Sequence, residues 1–159
     1  MKNVIILTLL ILVGVMCYSQ KAERIIISKK KLELYAIGEK GDTLCCFKCA
    51  VGVNYGDKQR TGDKRTPEGK FSVASIENSS KWTFDFNDGA GQREGAYGPY
   101  FIRLKTQQGW KGIGIHGTCF PKSIGKRDTR GCVRLLNKDL VVLKQYIEVG
   151  TTVIIEKDS

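Results

Sequence analysis

Histidine occurs once in this chain, at His116, and that scarcity narrows the available chemistry. A zinc site needs several imidazole or thiolate ligands together, and the pair Cys46 and Cys49 has no second Cys-x-x-Cys to complete it. No metal centre is expected. There are only three prolines, no internal repeat and no low-complexity linker, so the 159 residues read as one globular domain with a single core. Acidic residues are few, 16 against 26 lysines and arginines, and the formal charge of +10 favours anionic partners. Nucleic acid is one class of such partner, and the N-terminus argues against it.

Long apolar runs are absent except at the start. Met1 to Ser19 carries one early lysine, then an apolar run from Val4 to Met16 broken only by Thr8 and Gly14, then Cys17 and Ser19 before Gln20. That is the layout of a secretory signal, residues 1–19, cleaved after Ser19, with a run too short to span a membrane comfortably. A retained membrane anchor is the alternative. The bulky Val15 and Met16 disfavour lipid attachment at Cys17. The mature domain, residues 20–159, is then periplasmic or otherwise extracytoplasmic. It keeps five cysteines, an odd number in an oxidising compartment, so at least one thiol stays unpaired.

What remains alternates β-branched runs with turns. Arg24 to Ser28 and Leu32 to Ile37 read as strands, with Lys29, Lys30 and Lys31 as a polar turn between them. A turn at Gly38 to Asp42 leads into a third strand from Thr43 to Val53, and the whole reads as a β-meander. On that strand Cys45 and Cys49 share a face roughly 13 Å apart, too far for a disulfide, and the cluster reads as core filler before it reads as a metal or redox site. A charged loop, Asn54 to Arg65, closes on Thr66-Pro67-Glu68-Gly69 and enters a strand from Phe71 to Ile76. Trp82, Phe84 and Phe86 then fall at alternate positions in a polar, glycine-rich stretch, either as an exposed flap with an aromatic face or as rings buried on the sheet. Tyr100 to Leu104 and Lys111 to Ile115 are further strands, the second delivering His116. Asn137 is suited to cap a helix carrying Leu140, Val141, Leu143, Lys144 and Ile147, and Thr151 to Glu156 closes the chain as a strand. About seven strands and one helix make the class mostly β.

The chemistry concentrates between His116 and Arg134. A thiol is little ionised at neutral pH, so a catalytic cysteine needs an imidazole to take its proton and positive charge nearby. His116 can supply the first, and Arg130 and Arg134, which bracket Cys132, the second. Gly131 allows close backbone approach, and the Gly131 and Cys132 amides are candidates for an oxyanion hole. The imidazole also needs an orienting acceptor, for which Asp128 or a backbone carbonyl would serve.

The run His116-Gly117-Thr118, then Ser123-Ile124-Gly125, then Thr129-Arg130-Gly131-Cys132-Val133-Arg134 resembles the signature of the L,D-transpeptidase catalytic domain, also called YkuD. Thr66-Pro67-Glu68-Gly69-Lys70-Phe71, Gly98 to Leu104 and Gly150-Thr151-Thr152-Val153 are similar to further family segments, so the resemblance covers nearly the whole mature chain. It implies a β-sandwich or barrel with one or two short helices, Cys132 as nucleophile and His116 as base. It also implies a peptidoglycan tetrapeptide stem as donor, cut after its third residue through a thioester, and a 3-3 cross-link when a neighbouring stem amine resolves it. Water in place of the amine gives an L,D-carboxypeptidase. Carbapenems typically acylate the same cysteine, no cofactor is involved, and a monomer suffices.

Position by position, Thr129 matches the signature's small hydroxyl residue, Gly131 the backbone position beside the nucleophile, and Arg134 the polar position after it. Arg130 stands where many members carry a second histidine. No wall-binding module is legible beside the domain, so affinity for the wall falls to the domain itself; its basic surface either contributes or is a solvated face without a role. Cys119, three residues after His116, reads as a spare thiol. A reading of another class, a catalytically silent wall-binding module on this fold, stays open.

Overall fold

The structure, a computed structural model, describes residues 20–106 and 109–158. The expected export signal, Met1 to Ser19, lies outside the described residues. Along the chain run β1 (Arg24–Ser28), β2 (Glu33–Ile37), β3 (Thr43–Lys48), β4 (Val51–Gly52), β5 (Gly69–Asn78), β6 (Thr83–Asp85), β7 (Gln92–Glu94), β8 (Tyr100–Lys105) and β9 (Gly114–His116). A 3-10 turn (Pro121–Ser123), β10 (Arg127–Thr129), β11 (Val133–Arg134), α1 (Asn137–Tyr146) and β12 (Thr152–Ile155) follow. Eight strands form one sheet in the order β11-β9-β8-β5-β12-β1-β2-β3, curled into a half-barrel. The mostly β class expected from the sequence is the class that forms.

Period-two alternation builds the core. Ile25 of β1 lies opposite Ala36 of β2 and Val153 of β12, and Val153 lies opposite Phe71 of β5. A second row joins Leu34, Ile27 and Ile155. All seven side chains are buried, because strands in register send matching positions to one face. The α1 residues Leu140 and Leu143, both fully buried, belong to the same cluster. Each fully buried leucine or isoleucine contributes about 1.5–3 kcal/mol by its removal from water.

Three local expectations change. The third strand does not run unbroken to Val53: β3 stops at Lys48, and β4 pairs with β10 in a separate sheet. Cys49, between them, is fully buried, and burial pushes its thiol up to about 12, so it fills the core as expected. Lys29 is no surface turn residue. It is 1% exposed and its Nζ reaches the Gly56 carbonyl at 3.0 Å, Glu68 Oε1 at 2.6 Å and Asp158 Oδ2 at 3.0 Å, with Arg127 also paired to Asp158. The cluster pins the C-terminal tail and the Thr66–Gly69 turn to the end of β1. Finally, Asn137 is the first residue of α1 and not its cap; the cap position is Leu136, with no side-chain bond.

Candidate active site

Strand register gathers the site. Phe101 and Arg103 of β8 lie opposite His116 and Gly114 of β9, and Arg134 of β11 lies beside His116 on the other flank. The intervening positions, Ile102, Ile115 and Val133, are all 0% exposed and point into the core. Alternation then sends Phe101, Arg103, His116 and Arg134 to the opposite face, together with Cys132 two residues before Arg134. Histidine and cysteine share a face because β9 and β11 are parallel and in this register.

The segment before Cys132 is clamped. Arg127 pairs with Val51 and Thr129 with Gly52, while the Ala50 and Arg134 backbones exchange both hydrogen bonds at 2.8 Å. Thr129, 2% exposed, donates its hydroxyl to the Cys132 carbonyl at 2.6 Å and accepts the Gly131 amide at 3.1 Å. Gly131 has φ 130°, and a Cβ there would stand 2.8 Å from the Arg65 carbonyl oxygen, so the turn demands glycine. The Gly131 amide is thus engaged by Thr129. Of the two amides considered for an oxyanion hole, it is the Cys132 amide that stays a candidate.

His116 is 5% exposed, and its Nδ1 lies 2.6 Å from the Gly117 carbonyl oxygen. A carbonyl can only accept, so Nδ1 carries the proton and Nε2 presents a lone pair. This settles the orienting group: it is a backbone carbonyl, and Asp128 instead pairs with Arg134 at 3.1 Å. Phe101 stacks on the imidazole at 5.7 Å between ring centroids with 6° between planes, and Tyr97 packs edge-on at 5.1 Å. Burial lowers the imidazole pKa to about 4, the Arg134 charge pushes the same way, and the Gly117 bond opposes them. The ring is neutral at physiological pH.

Cys132 is half-buried, and its thiol donates to the Gly112 carbonyl at 3.1 Å. Burial pushes the thiol pKa up, while the Gly114 backbone and the charges of Arg134, Lys58 and Arg103 pull it down. The resting pair is therefore thiol and imidazole. Arg130 is turned elsewhere: its guanidinium lies 5.0 Å over the Phe84 ring and donates to the Phe86 carbonyl at 3.4 Å. Arg134, 7% exposed, donates through Nη1 to Ser123 Oγ at 2.8 Å, which holds its charge beside the thiol.

These groups open onto a cavity of about 840 Å³. The β6–β7 hairpin forms one wall, where Trp82 packs on Tyr97 and Phe101, Phe84 on Tyr97, and Phe86 on Phe120. The alternating aromatics turn toward the site, all three half-buried, and Trp82 rests on the sheet through Phe101. Six lysines and arginines line the cavity; Lys58 is paired with Asp63, Arg103 with Glu77 and Arg134 with Asp128, and Lys81, Lys111 and Arg130 give its wall a cationic character.

A family model for the L,D-transpeptidase catalytic domain, YkuD, matches residues 22–155. The chain belongs to the L,D-transpeptidase catalytic domain family. Among curated relatives of the family, YkuD of Bacillus subtilis is 41% identical over 63 residues, 40% of this chain and 36% of the relative. YqjB of the same organism is 36% identical over 99 residues, 61% of this chain and 55% of the relative. The match therefore spans between about a third and a little over half of these relatives. An L,D-transpeptidase from Xylanimonas cellulosilytica, solved for residues 123–326, superposes with a TM-score of 0.61 at 20% identity, covering 87% of this chain and 62% of that one.

Of the residues singled out in the YkuD signature, Cys132, His116, Thr129, Arg130 and Arg134 line one cavity, while Gly131 shapes the turn behind it. Sequence reasoning did not find Tyr97, Phe101, Gly112, Lys58 or Arg103. Phe101 and Arg103 are legible in the sequence only as alternate positions of a strand; the register that sets them opposite His116 and Gly114 is not. Cys119 is exposed, and the described cysteines are all free thiols.

Proposed function

We propose that the chain is a peptidoglycan L,D-transpeptidase that works through a Cys132 thioester. One observation carries the reading: a cavity in which a cysteine thiol and a neutral, Nδ1-protonated histidine share one face of the sheet. His116 Nε2 takes the Sγ proton as sulfur attacks the carbonyl of the stem's third residue, and the Cys132 amide faces the developing oxyanion. Collapse breaks the bond to the terminal D-alanine, whose amine leaves with the proton returned by His116. The amine of a second stem then attacks the thioester, gives up a proton to His116, and releases the thiol as the 3-3 cross-link forms.

Thr129 fixes the nucleophile's backbone, Arg134 holds positive charge beside the sulfur, and the cationic wall including Arg130 suits the carboxylates of wall stems. A carbapenem enters the same site and acylates Cys132. The enzyme acts as a monomer and outside the cytoplasm, exported by residues 1–19 or held by them at the membrane. The test is incubation with purified tetrapeptide muropeptides. Wild type should yield 3-3 dimers that Cys132→Ala does not; tripeptide monomers in their place make it an L,D-carboxypeptidase, and identical profiles for the two proteins remove the enzyme reading.

A further inference from the structure

Asn137 reaches away from its own helix, and its Oδ1 accepts the Thr118 N–H at 2.7 Å. That N–H belongs to the same peptide group as the Gly117 carbonyl, which holds His116 Nδ1 at 2.6 Å. One planar amide therefore has the imidazole on its oxygen and Asn137 on its nitrogen. Because the group is rigid, its oxygen cannot swing away from the ring unless its N–H leaves Asn137. A hydrogen bond to the N–H also polarises the carbonyl and strengthens it as an acceptor.

The surroundings are shaped to admit this side chain. A Cβ at Gly117 would stand 2.2 Å from Asn137 Oδ1, and one at Gly98 would stand 2.3 Å from it. Gly98 also needs its positive φ of 65° and lies so close that its Cβ would come within 2.6 Å of the Gly117 Cα. The Gly117 amide donates to the Tyr97 carbonyl at 2.8 Å, and the fully buried Ser79 donates to the Gly98 carbonyl at 2.9 Å, which steadies both walls of the niche. The remainder of Asn137 is exposed, so it adds little to the core.

We propose that Asn137 is a positioning residue for His116, fixing the Gly117–Thr118 peptide so that the imidazole stays Nδ1-protonated with Nε2 directed at the nucleophile; its catalytic consequence rests on the transpeptidase reading. Asn137 touches neither the thiol nor the imidazole and acts through the peptide alone.

His116 being the only histidine, its imidazole nitrogens give an unambiguous signal in a long-range ¹H–¹⁵N correlation spectrum of the labelled chain. At neutral pH, wild type and Asn137→Asp, which keeps the acceptor, should each show one fixed tautomer with Nδ1 protonated. Asn137→Ala should show shifts averaged between tautomers. Carbapenem acylation followed by intact mass should slow roughly 10-fold to 100-fold in Asn137→Ala and stay near the wild-type rate in Asn137→Asp. Asn137→Leu, close in shape and lacking an acceptor, gives the same two readouts should the alanine variant not fold. A fixed tautomer and an undiminished rate in the variants without an acceptor would overturn the proposal. A wild type that is not acylated at all removes the transpeptidase reading instead, and the tautomer spectrum still decides the role of Asn137.

Discussion

Thr129 donates its hydroxyl to the carbonyl of Cys132 at 2.6 Å, bridging the turn that presents the Cys132 thiol. The same oxygen takes the Gly131 amide, so one side chain satisfies two backbone groups of a three-residue loop whose glycine has no steric alternative. Thr129→Val removes both bonds and keeps the volume. The expected outcome is a fall in the rate of Cys132 acylation of about 100-fold, the scale of a displaced nucleophile, with Thr129→Ser close to wild type. Stopped-flow acylation rates check this, and equal rates for the two variants would contradict it.

His116 gives the protein an acid-sensitive term. Its folded pKa of about 4 lies below its ordinary value of 6.5, so the unfolded chain binds the proton more readily. The stability tied to the neutral ring is fully present above pH 6.5 and is lost as pH falls toward 4, a change of about 3 kcal/mol. Urea unfolding at pH 7 and at pH 4.5 should show wild type losing more stability than His116→Gln. Equal losses would mean that the imidazole is not held neutral by burial.

Arg134 supplies charge beside the thiol from a buried position. In Arg134→Met the thiol pKa rises further, and alkylation of Cys132 by iodoacetamide at neutral pH should slow, because less of the thiol is ionised. Peptide mapping separates this site from the exposed Cys46 and Cys119. An unchanged rate would show that the guanidinium does not act on the sulfur.

Lys29 carries a different load. Its ammonium is enclosed by Glu68, Asp158 and two carbonyls, so Lys29→Ala leaves Glu68 without its cation and Asp158 with Arg127 alone, and should cost about 3–5 kcal/mol. Chemical denaturation measures it. A loss under about 1 kcal/mol, the scale of a surface pair, would show that the cluster is not closed to water.

How far the sequence could be read depended on the distance along the chain over which each feature is determined. β1 and β2 were legible because Ile25, Ile27, Leu34 and Ala36 declare a buried face within a few residues. That His116 and Cys132 come to one cavity is legible because the motif keeps its signature within one short segment. The insertion of β12 between β1 and β5 was not, since a parallel partner from the far end leaves no local mark. Lys29 reads as solvated until Asp158 is brought to it, and Asn137 reads as a cap until Thr118 lies beside it. The Gly131 amide was offered to a substrate because sequence does not show that Thr129 reaches it first.

Acylation by a carbapenem reads directly whether Cys132 is a nucleophile activated by His116 within this cavity. Intact mass of the folded chain, followed by peptide mapping, should show one adduct, placed on Cys132, with none on Cys132→Ala and strongly slowed formation on His116→Gln. Wild type that stays unmodified, or an adduct that maps to Cys46 or Cys119, would exclude Cys132 as the activated nucleophile.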